Sequence, residues 1–436
     1  MTMLLTLTLL ASAPAPQANL TFGRAGAQQD AGTPLRTLFS PAGAPSIPDA
    51  PFLFGGGVAA GDIDRDGDED LVIATQTGPV VWENMGDFVD ATSSRVPVSP
   101  GGTAKVYLAD MTGDGWLDLV ITGTPSAQTD YLLPNDRTGR FVLPTALPQA
   151  QSVTSDIAVV DIDGDGDNDL VRGIGANGHF NETGLDSLLV NDGNGNLTEE
   201  ASFLAAPWND ASIPTTGVEV FDANGDAFID ILVCRADSGT FTGSYGAQNT
   251  LLYGAGNRRF VEAPSTAIPV VEDNSYGARA RDYDGDGDID VVVSNVVSGS
   301  GAFNSADLLL NQGGAQGGTE GVFEELRDAI EEMPSPAEAL RLGLSVGDVN
   351  LDGQDDVVFH VHDLPPGGDQ PLYLGQSGSA TFLRDPSFRT GTFIAGGAVL
   401  FDADGDGDLD LFITAAGSAA GGADAGTARI FRNTVR

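Results

Sequence analysis

One nine-residue pattern, Asp-x-Asp/Asn/Thr-x-Asp-Gly-x-x-Asp, recurs seven times along this chain, with Ala227 in the glycine place of the fourth copy. The copies begin at Asp62, Asp110, Asp161, Asp222, Asp282, Asp348 and Asp402, at intervals of 48 to 66 residues. A repeat of that length is the size of one four-stranded propeller blade with variable loops, so seven copies predict seven blades. The 436 residues are therefore read as one repeat architecture and not as two or three unrelated domains.

The residues around each copy support that reading. Short apolar, β-branched runs precede the pattern, as in KVYLA at 105–109 and AVLF at 398–401, and others follow it, as in LVIA at 71–74 and VVV at 291–293. The pattern is thus predicted to be a hairpin loop between two buried strands. Turn-forming sequences such as Asn191-Asp192-Gly193-Asn194-Gly195 then end a third strand, and Phe88, Phe141, Phe260, Phe323 and Phe382 mark fourth strands. The last repeat stops after its third strand at ARIFRNTVR, and Phe39, 23 residues before Asp62, stands at the fourth-strand distance from the first copy. The segment 35–41 is accordingly expected to complete the seventh blade, leaving no open sheet edge. Within the longest repeat, Glu324–Met333 shows helical periodicity, and Ser335-Pro336-Ala337-Glu338 has the form of a capping box; both are read as short inserted helices.

Charge narrows the chemistry. The chain carries 62 Asp and Glu against 20 Lys and Arg, a formal net charge of −42, which repels phosphate backbones and excludes nucleic acid as a natural partner. Because the acids are gathered in short runs between apolar strands, they point to cations held by the fold. Calcium takes six to eight oxygen ligands in a flexible shell, and alternating aspartates on a tight glycine-containing loop supply them. The expected side-chain ligands in the complete copies are Asp62, Asp64, Asp66 and Asp70; Asp161, Asp163, Asp165 and Asp169; Asp282, Asp284, Asp286 and Asp290; and Asp402, Asp404, Asp406 and Asp410. The even copies offer Asp110, Thr112, Asp114 and Asp118; Asp222, Asn224, Asp226 and Asp230; and Asp348, Asn350, Asp352 and Asp356. Having one carboxylate fewer, these are expected to bind more weakly, the fourth copy most of all because Ala227 resists the turn. At the seventh position Asp68, Trp116, Asp167, Phe228, Asp288, Gln354 and Asp408 would lend a backbone carbonyl. Up to seven Ca2+ ions are expected. An EF-hand is excluded, because position 9 is always Asp and the flanks are β-forming.

The stretches DIDRDGDEDL, DIDGDGDNDL, DYDGDGDIDV and DADGDGDLDL resemble FG-GAP or VCBS repeats, known from integrin α-subunit propellers and many secreted bacterial proteins. The resemblance covers about residues 36–436 and implies a calcium-binding loop between the first two strands of each blade. Phe54-Gly55 supplies the Phe-Gly element, and the absence of a clear Gly-Ala-Pro element places the match nearer the bacterial branch.

Residues 3–11, MLLTLTLLA, followed by Ala11-Ser12-Ala13, have the form of an export signal with a small-residue cleavage site. The expected organisation is a signal at 1–13, a linker at 14–34 and the propeller at 35–436. No later run is apolar and long enough to span a bilayer. The single cysteine, Cys234, excludes an internal disulfide, and no nucleophile signature appears. His360 and His362 share a strand face and are read as ordinary packing. Function is read as a secreted, monomeric binding or adhesion module for an extracellular protein or glycan, with a carbohydrate-active lyase or hydrolase as the alternative. The long Gly-rich segments Gly173–Asp186, Ala236–Asn249, Val297–Asp307 and Ala415–Thr427, with Trp208, Tyr245, Tyr276 and Phe303, are expected to form the ligand face.

Overall fold

The second strand of each repeat is apolar on both faces, and such a strand is stable only in a sheet covered on both sides. In the computed structural model those strands are buried throughout their lengths: Asp70–Ile73, Asp118–Gly123, Asp169–Ile174 and Asp230–Arg235 present no exposed residue. The structure describes residues 39–42, 57–124, 128–148, 153–175, 184–204, 206, 208–236, 247–270, 272–296, 306–326, 328–330, 341–361, 370–390, 395–415 and 428–433. The segments 1–38 and 331–340, which carry the expected signal, linker and second inserted helix, lie outside them, as do Phe54-Gly55 and His362.

Seven antiparallel sheets stack around one axis. Blade 1 runs Val58–Gly61, Asp70–Ile73, Val80–Asn84, Phe88–Asp90, and blade 2 runs Thr103–Ala109, Asp118–Gly123, Tyr131–Leu133, Thr145–Ala146. Blades 3 to 6 repeat the plan, with first strands Thr154–Val160, Thr215–Phe221, Glu272–Arg281 and Arg341–Gly347. In blade 7, Ala395–Phe401, Asp410–Ala415 and Ala428–Asn433 are joined by Phe39–Ala42. That N-terminal strand pairs antiparallel with the C-terminal one, Phe39 opposite Asn433 and Ala42 opposite Ile430.

The first strands touch one another in sequence around the ring, and those of blades 1 and 7 meet to close it. Packing lies between blades more than within them. Leu71, Trp82 and Phe88 of blade 1 form one buried cluster with Phe401, Phe412 and Ile430 of blade 7, in which Trp82 meets Phe412 edge to face at 5.7 Å. Truncating a side chain such as Trp82 would cost about 3–5 kcal/mol and open the ring where its ends meet.

Two sequence expectations are corrected. Residues 324–326 are strand, not helix: Phe323–Leu326 pairs with Ala306–Asn311 as the fourth strand of blade 5. Sheet pairing and the buried Phe323 ring override a helical period there. Phe141 lies before its blade's fourth strand, in an isolated bridge with Asn135, fully buried under blade 1. Described helices are limited to short turns, Thr92–Arg95, Ala201–Leu204 and the 3-10 turn Gly314–Gln316. No described helix is long and apolar enough to cross a membrane.

Candidate metal centres

Each Asp-rich loop connects the first and second strands of its blade, so all seven gather on one face of the ring. Their backbone is the same in every copy. The residues at positions 4 and 6 have positive φ, for example Gly164 (77°) and Gly166 (96°), or Gly405 (72°) and Gly407 (90°). Left-handed backbone at these places turns the side chains of positions 1, 3 and 5 to one side. Arg65, Leu351 and Ala227 take the same conformation without glycine's freedom, at φ of 61°, 58° and 69°.

The carboxylate at position 1 fixes this turn by accepting the N–H groups of positions 5 and 6. Asp62 takes them from Asp66 (3.1 Å) and Gly67 (3.2 Å), and Asp402 from Asp406 (3.2 Å) and Gly407 (3.0 Å). Position 7 in turn donates to the carboxylate of position 5, as Asp68 does to Asp66 at 3.0 Å. These are Asx-type turns, which account for aspartate at the odd places before any ion is considered.

The aspartate at position 9 was expected as a ligand alone; the structure gives it a second role. Asp70, Asp118, Asp169, Asp230, Asp290, Asp356 and Asp410 are all buried, and each bridges two strands. One oxygen accepts the N–H of position 2, and the other an N–H at the end of the third strand. For Asp290 these are Tyr283 (3.0 Å) and Asn311 (2.8 Å); for Asp356, Val349 (3.0 Å) and Gly375 (2.9 Å). Burial pushes their carboxyls up, to about 7 for Asp70 and Asp290, about 6 for Asp169, Asp230 and Asp410, and about 8 for Asp356; the backbone donors oppose the rise.

Sequence reasoning missed the residue beside that bracket. Asn84, Asn191, Asn311 and Asn433 end the third strands of four blades and Asn135 follows that of blade 2 by two residues, and each side-chain amide donates to the position-2 carbonyl of another blade's loop. Asn191 reaches Met111 at 2.8 Å, and Asn84 reaches Ala403 at 3.1 Å across the closure. In blades 4 and 6 the place is taken by Gly254 and Gly375, where an added Cβ would stand 2.4 Å from a backbone oxygen.

Four groups of carboxylates converge. Oxygens of Asp62, Asp64 and Asp66 lie within 4.8 Å of one another, as do those of Asp161, Asp163 and Asp169, of Asp282, Asp284 and Asp290, and of Asp402, Asp404 and Asp410. Donors that close fit on a sphere of calcium–oxygen radius, about 2.3–2.6 Å. All four belong to the complete odd-numbered loops. Within them some buried carboxylate oxygens meet no donor: one on Asp163, one on Asp286, one on Asp288 and both on Asp408. The Asp408 carboxyl, with 2% of its surface exposed, is raised to about 7 by burial and by Asp406, Asp410 and Asp404. Such oxygens need a proton or a cation, and the donor set fits a hard, oxygen-seeking ion.

Each position-3 aspartate of the odd loops is also held from outside. Arg95 pairs with Asp64, Arg258 with Asp163 (3.4 Å), Gln316 donates to Asp284 (2.7 Å), and Arg432 pairs with Asp404. Such second partners fix the orientation of a ligating carboxylate. Elsewhere the expected ligand face is corrected at Trp208, which is buried edge to face against Phe203 at 4.8 Å. Tyr276 lines the axial cavity instead. Tyr245, Phe303 and most of the four Gly-rich segments lie outside the described residues.

A model of the FG-GAP-like repeat matches residues 62–121 and 110–172. Cartilage acidic protein 1 of Mus musculus is 25% identical over 395 residues, covering 82% of this chain and 57% of that protein. Its Homo sapiens counterpart is 23% identical over 395 residues, covering 82% and 56%. The chain thus spans little more than half the length of these curated relatives. Among solved structures, the BP39L lectin from Burkholderia pseudomallei superposes with a TM-score of 0.55 at 14% identity, covering 84% of this chain and 94% of that one, a likeness of fold.

Proposed function

We propose that this chain, an FG-GAP-repeat β-propeller, is a calcium-loaded binding module that acts outside the cell on a protein or glycan ligand. The observation that carries the reading is the convergence of three carboxylates in each odd loop together with buried oxygens that have no donor. Asp62, Asp64, Asp66 and Asp70 and their counterparts in loops 3, 5 and 7 would hold calcium, with the position-7 backbone completing the shell. Loops 2, 4 and 6 would hold it more weakly through Asp110, Asp114 and Asp118 and the equivalent residues. Bound calcium would offset part of the negative charge of the loops and stiffen the hairpins.

Rigid loops on a closed ring favour recognition, because little conformational entropy is then lost on binding. One solved propeller of this fold is a lectin, which makes glycans the first ligands to test. Export with loss of residues 1–13 belongs to the same reading, since calcium near 1 mM is an extracellular condition suited to modules of modest affinity. The direct test counts bound calcium by elemental analysis, then screens the loaded protein on a glycan array with and without chelator. Calcium at four or more per chain and calcium-dependent retention are expected; fewer than one ion per chain would sink the proposal.

A further inference from the structure

On the axis, the first strands that lead into the metal loops enclose a cavity of about 410 Å³, within the range of small-ligand pockets. Its wall is two-sided. Blades 7 and 1 contribute Gly396, Gly397, Ala398, Gly57, Val58 and Ala59, whereas blades 2, 3, 5 and 6 contribute Lys105, Tyr107, Asp156, Arg279 and His360.

The acceptors on the polar side are already engaged. Asp156 takes Lys105 Nζ (2.8 Å) and the Tyr107 hydroxyl (2.9 Å) on one oxygen and the Val218 N–H (3.1 Å) on the other. Glu219 takes the Ala280 N–H at 2.9 Å. Donors are in surplus. Lys105 Nζ meets one partner for its three protons, and Arg279 uses only Nη1, toward Ala278 O (2.6 Å) and distantly toward Glu219 (3.4 Å), among the described residues. The Arg279 side chain is 43% exposed. Cationic donors with protons left open toward a cavity can hold an anion.

A complementary acceptor stands beside them. Ser345 Oγ lies 3.2 Å from Ala398 O and 3.0 Å from His360 Nε2; with its single proton on the carbonyl, the imidazole donates from Nε2. In that tautomer Nδ1 is the unprotonated nitrogen, on the side of the ring facing Gly343, where an added Cβ would stand 3.1 Å from it. Burial, then Arg279 and Lys105, hold this histidine near a pKa of about 3, keeping Nδ1 free to accept a hydroxyl proton.

We infer that the axial cavity binds a sugar acid of monosaccharide size: its carboxylate on Arg279 and Lys105, a hydroxyl on His360 Nδ1, and its C–H face against the glycine and alanine wall of blades 7 and 1. The site uses none of the aspartate loops, so it goes beyond the calcium reading.

Calorimetry on the full chain at saturating calcium tests it with three probes: glucuronate, glucose as its neutral counterpart, and cyclohexanecarboxylate as an acid without hydroxyls. Glucuronate is expected to bind one per chain and at least tenfold more tightly than either control. Arg279→Gln should weaken it at least tenfold, with Arg279→Lys recovering part, because the Glu219–Ala280 bond that joins the blades survives both. Gly343→Ala, which crowds Nδ1 without touching a charge, should weaken it independently should Arg279→Gln fold poorly. Glucuronate binding no tighter than glucose, or unchanged in a folded Arg279→Gln or Gly343→Ala protein, overturns the inference. Calcium is counted separately on the same samples, so a negative result here leaves the metal reading standing.

Discussion

Loops 1, 3, 5 and 7 carry aspartate at all five odd positions, whereas loops 2, 4 and 6 replace it at positions 3 and 7 with Thr112 and Trp116, Asn224 and Phe228, and Asn350 and Gln354. Their folds nevertheless agree. In both sets position 1 accepts two N–H groups and position 9 brackets the third strand, as Asp348 and Asp356 do in loop 6. The turn is thus built by positions 1, 5 and 9, with position 3 adding a bond to the position-5 N–H whether it is Asp64, Asn224, Asp284 or Asn350, so that the aspartates peculiar to the odd loops add charge to a turn the even loops also make. Alternation keeps the most acidic loops apart around the ring. It fails only where an odd number of blades must close, between loops 7 and 1, and there Glu69 accepts the Asp402 N–H at 3.1 Å. Burial and the charges of Asp402 and Asp62 raise its carboxyl.

Calcium removal sharpens the comparison most. An ion bound to the native state alone, with about 0.2 mM affinity at about 2 mM calcium, contributes roughly 1.4 kcal/mol. Four complete loops then contribute about 6 kcal/mol, and chelation should lower the thermal midpoint by roughly six degrees. Asp→Asn at position 3 of all four odd loops should abolish most of that calcium dependence. An equal midpoint with calcium and with chelator in the parent protein would break the distinction between the two sets.

The bracket aspartates should ignore it. Asp290→Ala in an odd loop and Asp230→Ala in an even one each leave two buried N–H groups without an acceptor, at a cost of about 2–4 kcal/mol by denaturant unfolding in chelator. A large loss in the odd loop alone would show that metal, not the hydrogen-bonded bracket, explains position 9.

Acid should separate apo from loaded protein. Burial pushes six of the position-9 carboxyls to about 6 to 8 and raises that of Asp118 as well, above the value near 3.9 for an unfolded aspartate. Between those values the folded chain holds more protons, so stability falls as pH rises through that window. In chelator the midpoint should therefore be higher at pH 5 than at pH 7.5. With calcium, which favours the charged carboxylates, the trend should flatten or reverse. A midpoint in chelator that falls on acidification would contradict the burial-driven shifts.

The smallest effect concerns one residue. Ala227 holds φ of 69° in loop 4 where the other six loops have glycine. Ala227→Gly should stabilise the protein by about 1 kcal/mol and raise the calcium affinity of loop 4. Gly407→Ala should cost a similar amount in loop 7, with a measurable loss of calcium affinity there.

What depends on neighbouring residues was legible in the sequence: seven loops, the glycine turn at position 6, the buried second strands and the alternation of full and depleted acid sets. Turn chemistry acts across nine residues, so nine residues announce it. The third-strand asparagines stand 14, 17, 22, 21 and 23 residues beyond their bracket aspartates, and that varying interval hid a repeated bond. The helical period at 324–326 misled for a related reason, since partner strand and ring decided the pairing. Arg95, Arg258 and Arg432 became partners of position-3 carboxylates, and Lys105, Asp156, Arg279 and His360 became one wall, only when the blades closed. Charges tens to hundreds of residues apart interact through distances that the ring sets, and no local pattern encodes those distances.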